Sequence, residues 1–190
     1  MAILYNIEKV VITELDPATG TAKSGGIVTE IETAQKAELE PVISEGDEDV
    51  LRSFEKILAI ARTDDLIYGY DVKLTDNTFN AEAAGLIGGY KVSGEGDEEK
   101  YETPMMSEGF TGRPFKLEIY VANYSGDDVV NYAKIVLNKC IGKFPSMSVG
   151  DGFYAPEFEI KARENSKAKL PIKEVTFVDT LPTIQSTGTN

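Results

Sequence analysis

The sequence predicts a mainly β fold, an antiparallel β-sandwich or barrel of about eight strands with one short flanking helix and long loops. Three observations predict it. Apolar and polar residues alternate with period two in run after run, clusters of Gly, Asp, Pro and Ser separate the runs, and one stretch alone carries both the start and the stop signal of a helix.

Ile7 to Thr13, Ile27 to Ile31 and Ile57 to Ala61 read as strands of the first third of the chain. Tyr68, Tyr70, Val72 and Leu74 alternate with Gly69, Asp71, Lys73 and Thr75, which places both tyrosines on the core face. Phe115, Leu117, Ile119 and Val121 alternate with Lys116, Glu118, Tyr120 and Ala122. Ala133, Ile135 and Leu137 follow the rule more weakly, because Val136 lies opposite, and Phe158 with Ile160, then Val175 with Phe177, complete the set. Asp16-Pro17 and Gly25-Gly26 bracket the first connection, while Thr63-Asp64-Asp65 and Ser125 to Asp128 read as hairpin links and so imply antiparallel pairing. Val149 to Gly152 is a further turn, and Pro156 argues for a strand that lies at an edge or starts late. The helix covers Ala81 to Ile87, capped by Asn80 and stopped by Gly88-Gly89. Asp47 to Phe54 reads equally well as a second helix or as a loop.

One domain over residues 1–190 is expected, with extended loops at about 35–55 and 94–113 and a flexible C-terminal end at 183–190. Both loops are acidic, yet Val42, Ile43, Leu51 and Phe54 stand in the first and Met105, Met106 and Phe110 in the second. A purely solvated loop has little use for these side chains. They are the candidate contacts between subunits, the alternative being a satellite cluster folded back on the same domain.

The formal charge of −13 is concentrated. Lys36 to Asp49 carries six acids against one lysine, and Glu95 to Glu102 five against one. Such a chain is a poor phosphate binder. No apolar run approaches the ~20 residues that span a bilayer and no leader is apparent, so synthesis in the cytosol without a membrane partner is expected. Cys140 is the single cysteine, which excludes an internal disulfide and reads as a buried small hydrophobe.

The chain has no histidine, so serine-histidine and cysteine-histidine dyads are impossible. No Walker loop or dinucleotide fingerprint occurs, and the acidic run Gly94 to Glu99 lacks the spacing of an EF-hand. Glu118 and Glu159 could form a glycosidase pair but sit where a strand shows its polar, solvated face. An enzyme is not expected, and no catalytic residue, cofactor or metal is assigned.

Residues Ile57 to Gly89, ILAIARTDDLIYGYDVKLTDNTFNAEAAGLIGG, resemble the central block of tail tube proteins (major tail proteins) of long-tailed bacteriophages. The run from Phe158 to Pro182 is similar to the closing strands of the same group, and the two blocks cover about a third of the chain. The resemblance implies a tail-tube-like domain, hexameric rings stacked into a hollow tube, and passage of DNA through the lumen without specific binding. It also implies contacts between subunits and rings from the first long loop and the termini. Implied partners are further copies of the chain and other tail proteins such as the tape measure, tail terminator and distal tail proteins. The implied location is the virion tail, with the host cytoplasm during assembly. Lys73, Lys116 and Glu118 are the candidate lumen-facing residues. The competing expectation is a carbohydrate-binding or adhesive β-sandwich module of a phage or bacterial surface structure, which would need exposed aromatic residues in a groove.

Overall fold

The computed structural model describes residues 3–54, 56–93, 100–103, 105, 107, 112–143 and 156–184. In chain order these form β1 (Ile3–Glu14), β2 (Val28–Ile31), β3 (Ala34–Ser44), β4 (Glu48–Ser53), β5 (Lys56–Arg62), β6 (Leu66–Asp76), α1 (Ala81–Gly88), β7 (Lys91–Ser93), β8 (Lys100–Glu102), β9 (Phe115–Ser125), β10 (Asp128–Gly142), β11 (Glu157–Ala162) and β12 (Lys173–Val178). The fold is mainly β, as expected. Eight strands make one antiparallel sheet in the order β2-β1-β9-β10-β11-β6-β3, with β12 also paired to β10.

β10 holds two neighbours along one edge because it is long: residues 132–137 pair with β12 and residues 140–142 with β11. Between these stretches the register to β9 shifts from Leu137 to Cys140, a bulge that carries Asn138 and Lys139. The bulge resets the alternation, so that Leu137 before it and Cys140 after it both face inward and are fully buried. Asn138 is buried there and satisfied: its Nδ2 donates to the Pro171 carbonyl at 3.0 Å and to Glu174 Oε1 at 2.7 Å. Asn165 Nδ2 donates in turn to the Asn138 carbonyl at 3.2 Å and to the Gly20 carbonyl at 2.8 Å.

The sheet curls until β1 and β3 pack on each other, and its inner face holds the core. Ile12, Val72, Leu74, Phe115, Leu117, Phe158 and Ile160 are all buried in that cluster. One end is closed by α1, whose Ala83, Ala84, Leu86 and Ile87 are buried. Asn80 Oδ1 accepts from the Ala83 amide at 3.0 Å, and Gly89 ends the helix with φ 70°. A Cβ on Gly142 would lie 2.3 Å from the Ile87 carbonyl, so glycine is what lets β10 pass the helix end so closely. Cys140 packs in the core as expected, and burial pushes its thiol up, leaving it protonated and inert.

Several expectations are corrected. The expected loop at 35–55 is mostly strand, β3 and β4, and Asp47 to Phe54 is β4 with its turn, neither helix nor loop. The expected loop at 94–113 contains β8, which pairs with β7. Thr63-Asp64-Asp65 does not reverse the chain: β5 pairs with β4 and β6 with β3, so these residues sit midway along one strand of a longer hairpin. Tyr68 is half exposed because β6 runs past the sheet, while Tyr70 is half-buried beneath the Lys173 ammonium, 4.4 Å from its ring centre. Val175 and Phe177 are each 53% exposed, since they lie on an edge strand paired only with β10. β11 is central rather than at an edge; it begins directly after Pro156, whose carbonyl accepts from the Asp76 amide at 3.0 Å. The turn expected at 149–152 lies outside the described residues. Thr183 and Ile184 belong to the segment that follows β12, and the remaining residues of the expected flexible end lie outside the description.

Candidate functional site

The feature that stands apart from the curled sheet is a long two-stranded arm. β11 accompanies β6 only as far as the pair Ala162 and Tyr70, beyond which β3 and β6 continue together to Ser44 and Leu66. After a joint, β4 and β5 carry the same hairpin from Glu48 and Arg62 to Ser53 and Lys56. The Gly46 amide donates to Asp65 Oδ1 at 2.9 Å and the Asp47 amide to Thr63 Oγ1 at 2.8 Å, which binds the two rails at the joint. A Cβ on Gly46 would collide with the Thr63 carbonyl at 1.9 Å. At about 3.3 Å per residue, the ten steps from Ser44 to Phe54 give a reach of roughly 33 Å. β4 and β5 pack extensively only on each other.

Among its described residues, large apolar side chains are exposed on both faces of this arm. Ile43, Leu51, Ile57, Ile60, Leu66 and Ile67 are all about half exposed or more. At the reversal Phe54 adopts φ 53°, the left-handed region that a two-residue hairpin loop demands, and its ring is entirely exposed. A bulky residue there costs on the order of 1 kcal/mol.

The candidate contact residues divide accordingly. Ile43, Leu51 and Phe54 are exposed on the arm, Val42 is half-buried at its root, and Met105 is 71% exposed. Met106 and Phe110 lie outside the described residues.

The candidate lumen residues do not share one surface. Lys73 is exposed among charges on the outer face of β3, β6 and β11, 3.9 Å from Glu157. Lys116 and Glu118 lie on the outer face of β9, and the expectation that Glu118 is a solvated wall is overturned: it is buried. Its carboxylate is held by Lys134 at 2.8 Å and Lys116 at 3.1 Å, with Tyr120 buried beside it. Burial alone would raise its pKa, but the two ammonium groups outweigh this and hold it below the usual carboxylate range. Lys134 is held above its ordinary value, the Glu118 carboxylate outweighing the cost of burying its charge.

Two further surfaces carry no sequence expectation. The outer face of β10 and β11 brings Lys139, Ile141, Lys143, Lys161 and Arg163 around a cavity of about 360 Å³, with Ile141 42% exposed. The signal is visible in hindsight as cations at every second position on either side of one isoleucine. At the opposite end of β10, Ile3, Leu4 and Tyr5 are exposed beside the turn between β9 and β10, where Val129 and Val130 are also exposed. Tyr5 meets Tyr124 edge to face with ring centres 6.3 Å apart.

The sheet edges differ in how they are guarded. β3 carries Pro41 and exposed Lys36, Glu38 and Glu40, and β2 has only four residues. Both are ordinary defences against stray pairing. β12 is charged only at its first two positions, Lys173 and Glu174, and beyond them shows Val175 and Phe177.

No family model matches the chain, and a search of curated proteins finds no match.

Proposed function

We propose that this chain is a self-assembling structural subunit of a bacteriophage tail tube, forming stacked, hexameric rings around a lumen through which DNA passes. The observation that carries the reading is the arm. An isolated two-stranded hairpin is marginally stable in water, and this one exposes large apolar side chains on both faces and a strained aromatic tip. A neighbouring subunit supplies the cover that such a hairpin lacks in the single chain.

The two segments that resemble tail tube proteins are far apart in sequence yet adjacent in space. One contains β5, β6 and α1, the other β11 and β12, and β6 pairs with β11 throughout the shorter strand. The resemblance therefore traces a paired couple of strands in the sheet together with half of the arm, with β12 joined to them through β10. The edge at β12, apolar and exposed at Val175 and Phe177, offers a second joint, of the kind that ring closure removes. The net charge of −13 suits a conduit for a polyanion, since a strongly basic wall would retain phosphates.

Electron microscopy of the purified protein tests the reading. A domain of this length is about 40 Å across, so a ring of several copies gives rings or rods on the order of 100 Å wide. A species that stays monomeric at every concentration would contradict it.

A further inference from the structure

Resting on the self-assembly reading above, we infer that the arm of one copy docks into the cavity on the outer face of β10 and β11 of a second copy. In this contact the Asp49–Leu51 face of the arm meets Ile141 within its ring of cations.

The two surfaces are complementary in charge. On the arm, Glu45, Asp47, Glu48, Asp49, Asp64 and Asp65 are all exposed, and none makes an ion pair among the described residues. The cross-strand pairs Asp49 with Ala61 and Leu51 with Ala59 share one face. Two small residues there leave Leu51 standing as a knob with a carboxylate beside it. In the cavity, Lys143 is engaged by Glu159 at 2.8 Å and Arg163 lies 3.9 Å from Asp71, whereas Lys139 and Lys161 form no ion pair among the described residues. Two cations that form no ion pair among the described residues, Lys161 feeling Glu159 only at longer range, flank an exposed isoleucine in a chain whose net charge is −13. The volume of about 360 Å³ falls within the ~300–1,000 Å³ of ordinary binding pockets.

The geometry requires a second molecule. Arg163, on the rim of the cavity, stacks over Tyr68 at the root of the same chain's arm, 5.4 Å from the ring centre. The arm starts beside its own cavity, and β4 and β5 pack extensively only on each other. Knob and cavity are different patches of one chain, so the contact is heterologous. Each copy gives one arm and receives one, and such contacts close into a ring, of which reciprocal exchange between two copies is the smallest, or propagate into an open filament.

Charge reversal and charge exchange test this, with assembly followed by sedimentation and fold by circular dichroism. Lys139→Glu with Lys161→Glu, and separately Asp47→Lys with Asp49→Lys, are each expected to raise the concentration needed for assembly at least tenfold. All four changes in one chain are expected to return it to within about threefold of wild type. Lys139→Gln with Lys161→Gln serves if a reversal perturbs the fold, with a smaller loss in the same direction. Wild type that assembles while the reversed or neutralised chains assemble equally well overturns the docking and leaves the tube reading standing. Loss in both reversed chains without recovery in the exchanged chain also overturns it. Wild type that is monomeric at every concentration overturns both.

Discussion

The body and the arm are built from the same antiparallel ladder, and they differ in what lies on either side of it. In the body, β6 sets Val72 and Leu74 against a closed core, where both are almost completely inaccessible. Eight residues earlier the same strand shows Leu66 at 68% exposure, with only β3 beside it. Hydrogen-bonded pairing makes a ribbon, but removal of apolar area from water is what makes a ribbon stable. The body finds that area within its own chain. The arm does not, and it is on this division that the proposal of folding for one region and assembly for the other rests.

The largest expected effect lies in the body. Phe158 is fully buried between β10 and β6, so Phe158→Ala should cost about 3–5 kcal/mol in urea unfolding, enough to leave much of the chain unfolded. Smaller, and dependent on pH, is the buried ion cluster. Glu118→Gln should cost about 1–2 kcal/mol at pH 7 by the same measurement. The folded-state pKa of Glu118 is depressed, so its contribution is complete above the unfolded value of ~4.3 and is lost as pH falls through the folded one. The gap between wild type and variant should therefore close in strong acid. A gap that widened there would mean that the carboxyl is stabilised in its neutral form. Smallest is Leu51→Ala in the arm, expected to move monomer stability by less than about 0.5 kcal/mol, while the concentration needed for assembly rises severalfold. A loss comparable to that of Phe158→Ala would erase the distinction between the two regions.

The parts legible in the sequence are those where one strand face is dry and the other wet. β11 follows its alternation and α1 follows its cap: Phe158 and Ile160 are buried, and Asn80 holds the helix start. Alternation fails in both opposite cases. Where both faces are wet, as in β4 and the arm end of β3, nothing forces apolar residues onto one side, and the acids and Pro41 read as a loop. Where both faces are covered, a polar residue is hidden without warning. Val11, Glu118 and Tyr120 are buried on the outer face of the sheet, which the segment after β12 reaches, the Lys9 ammonium donating to the Pro182 carbonyl at 3.4 Å. Apolar residues within an acidic stretch did point to the arm, because charge and exposed leucine together have no use in a solvated loop. The cavity between β10 and β11 was not legible, because its cations come from two strands whose pairing is decided by the bulge at Asn138 and Lys139.

Excision of the arm tests the division most directly. Ser44 and Leu66 are paired across the ribbon, so residues 45–65 can be replaced by an Asn-Gly turn that closes β3 onto β6. Thermal unfolding and sedimentation of the shortened chain should then give a cooperative transition close to that of wild-type monomer, together with failure to assemble at any concentration. A shortened chain that still forms rings or rods, or one that no longer folds, would contradict the account.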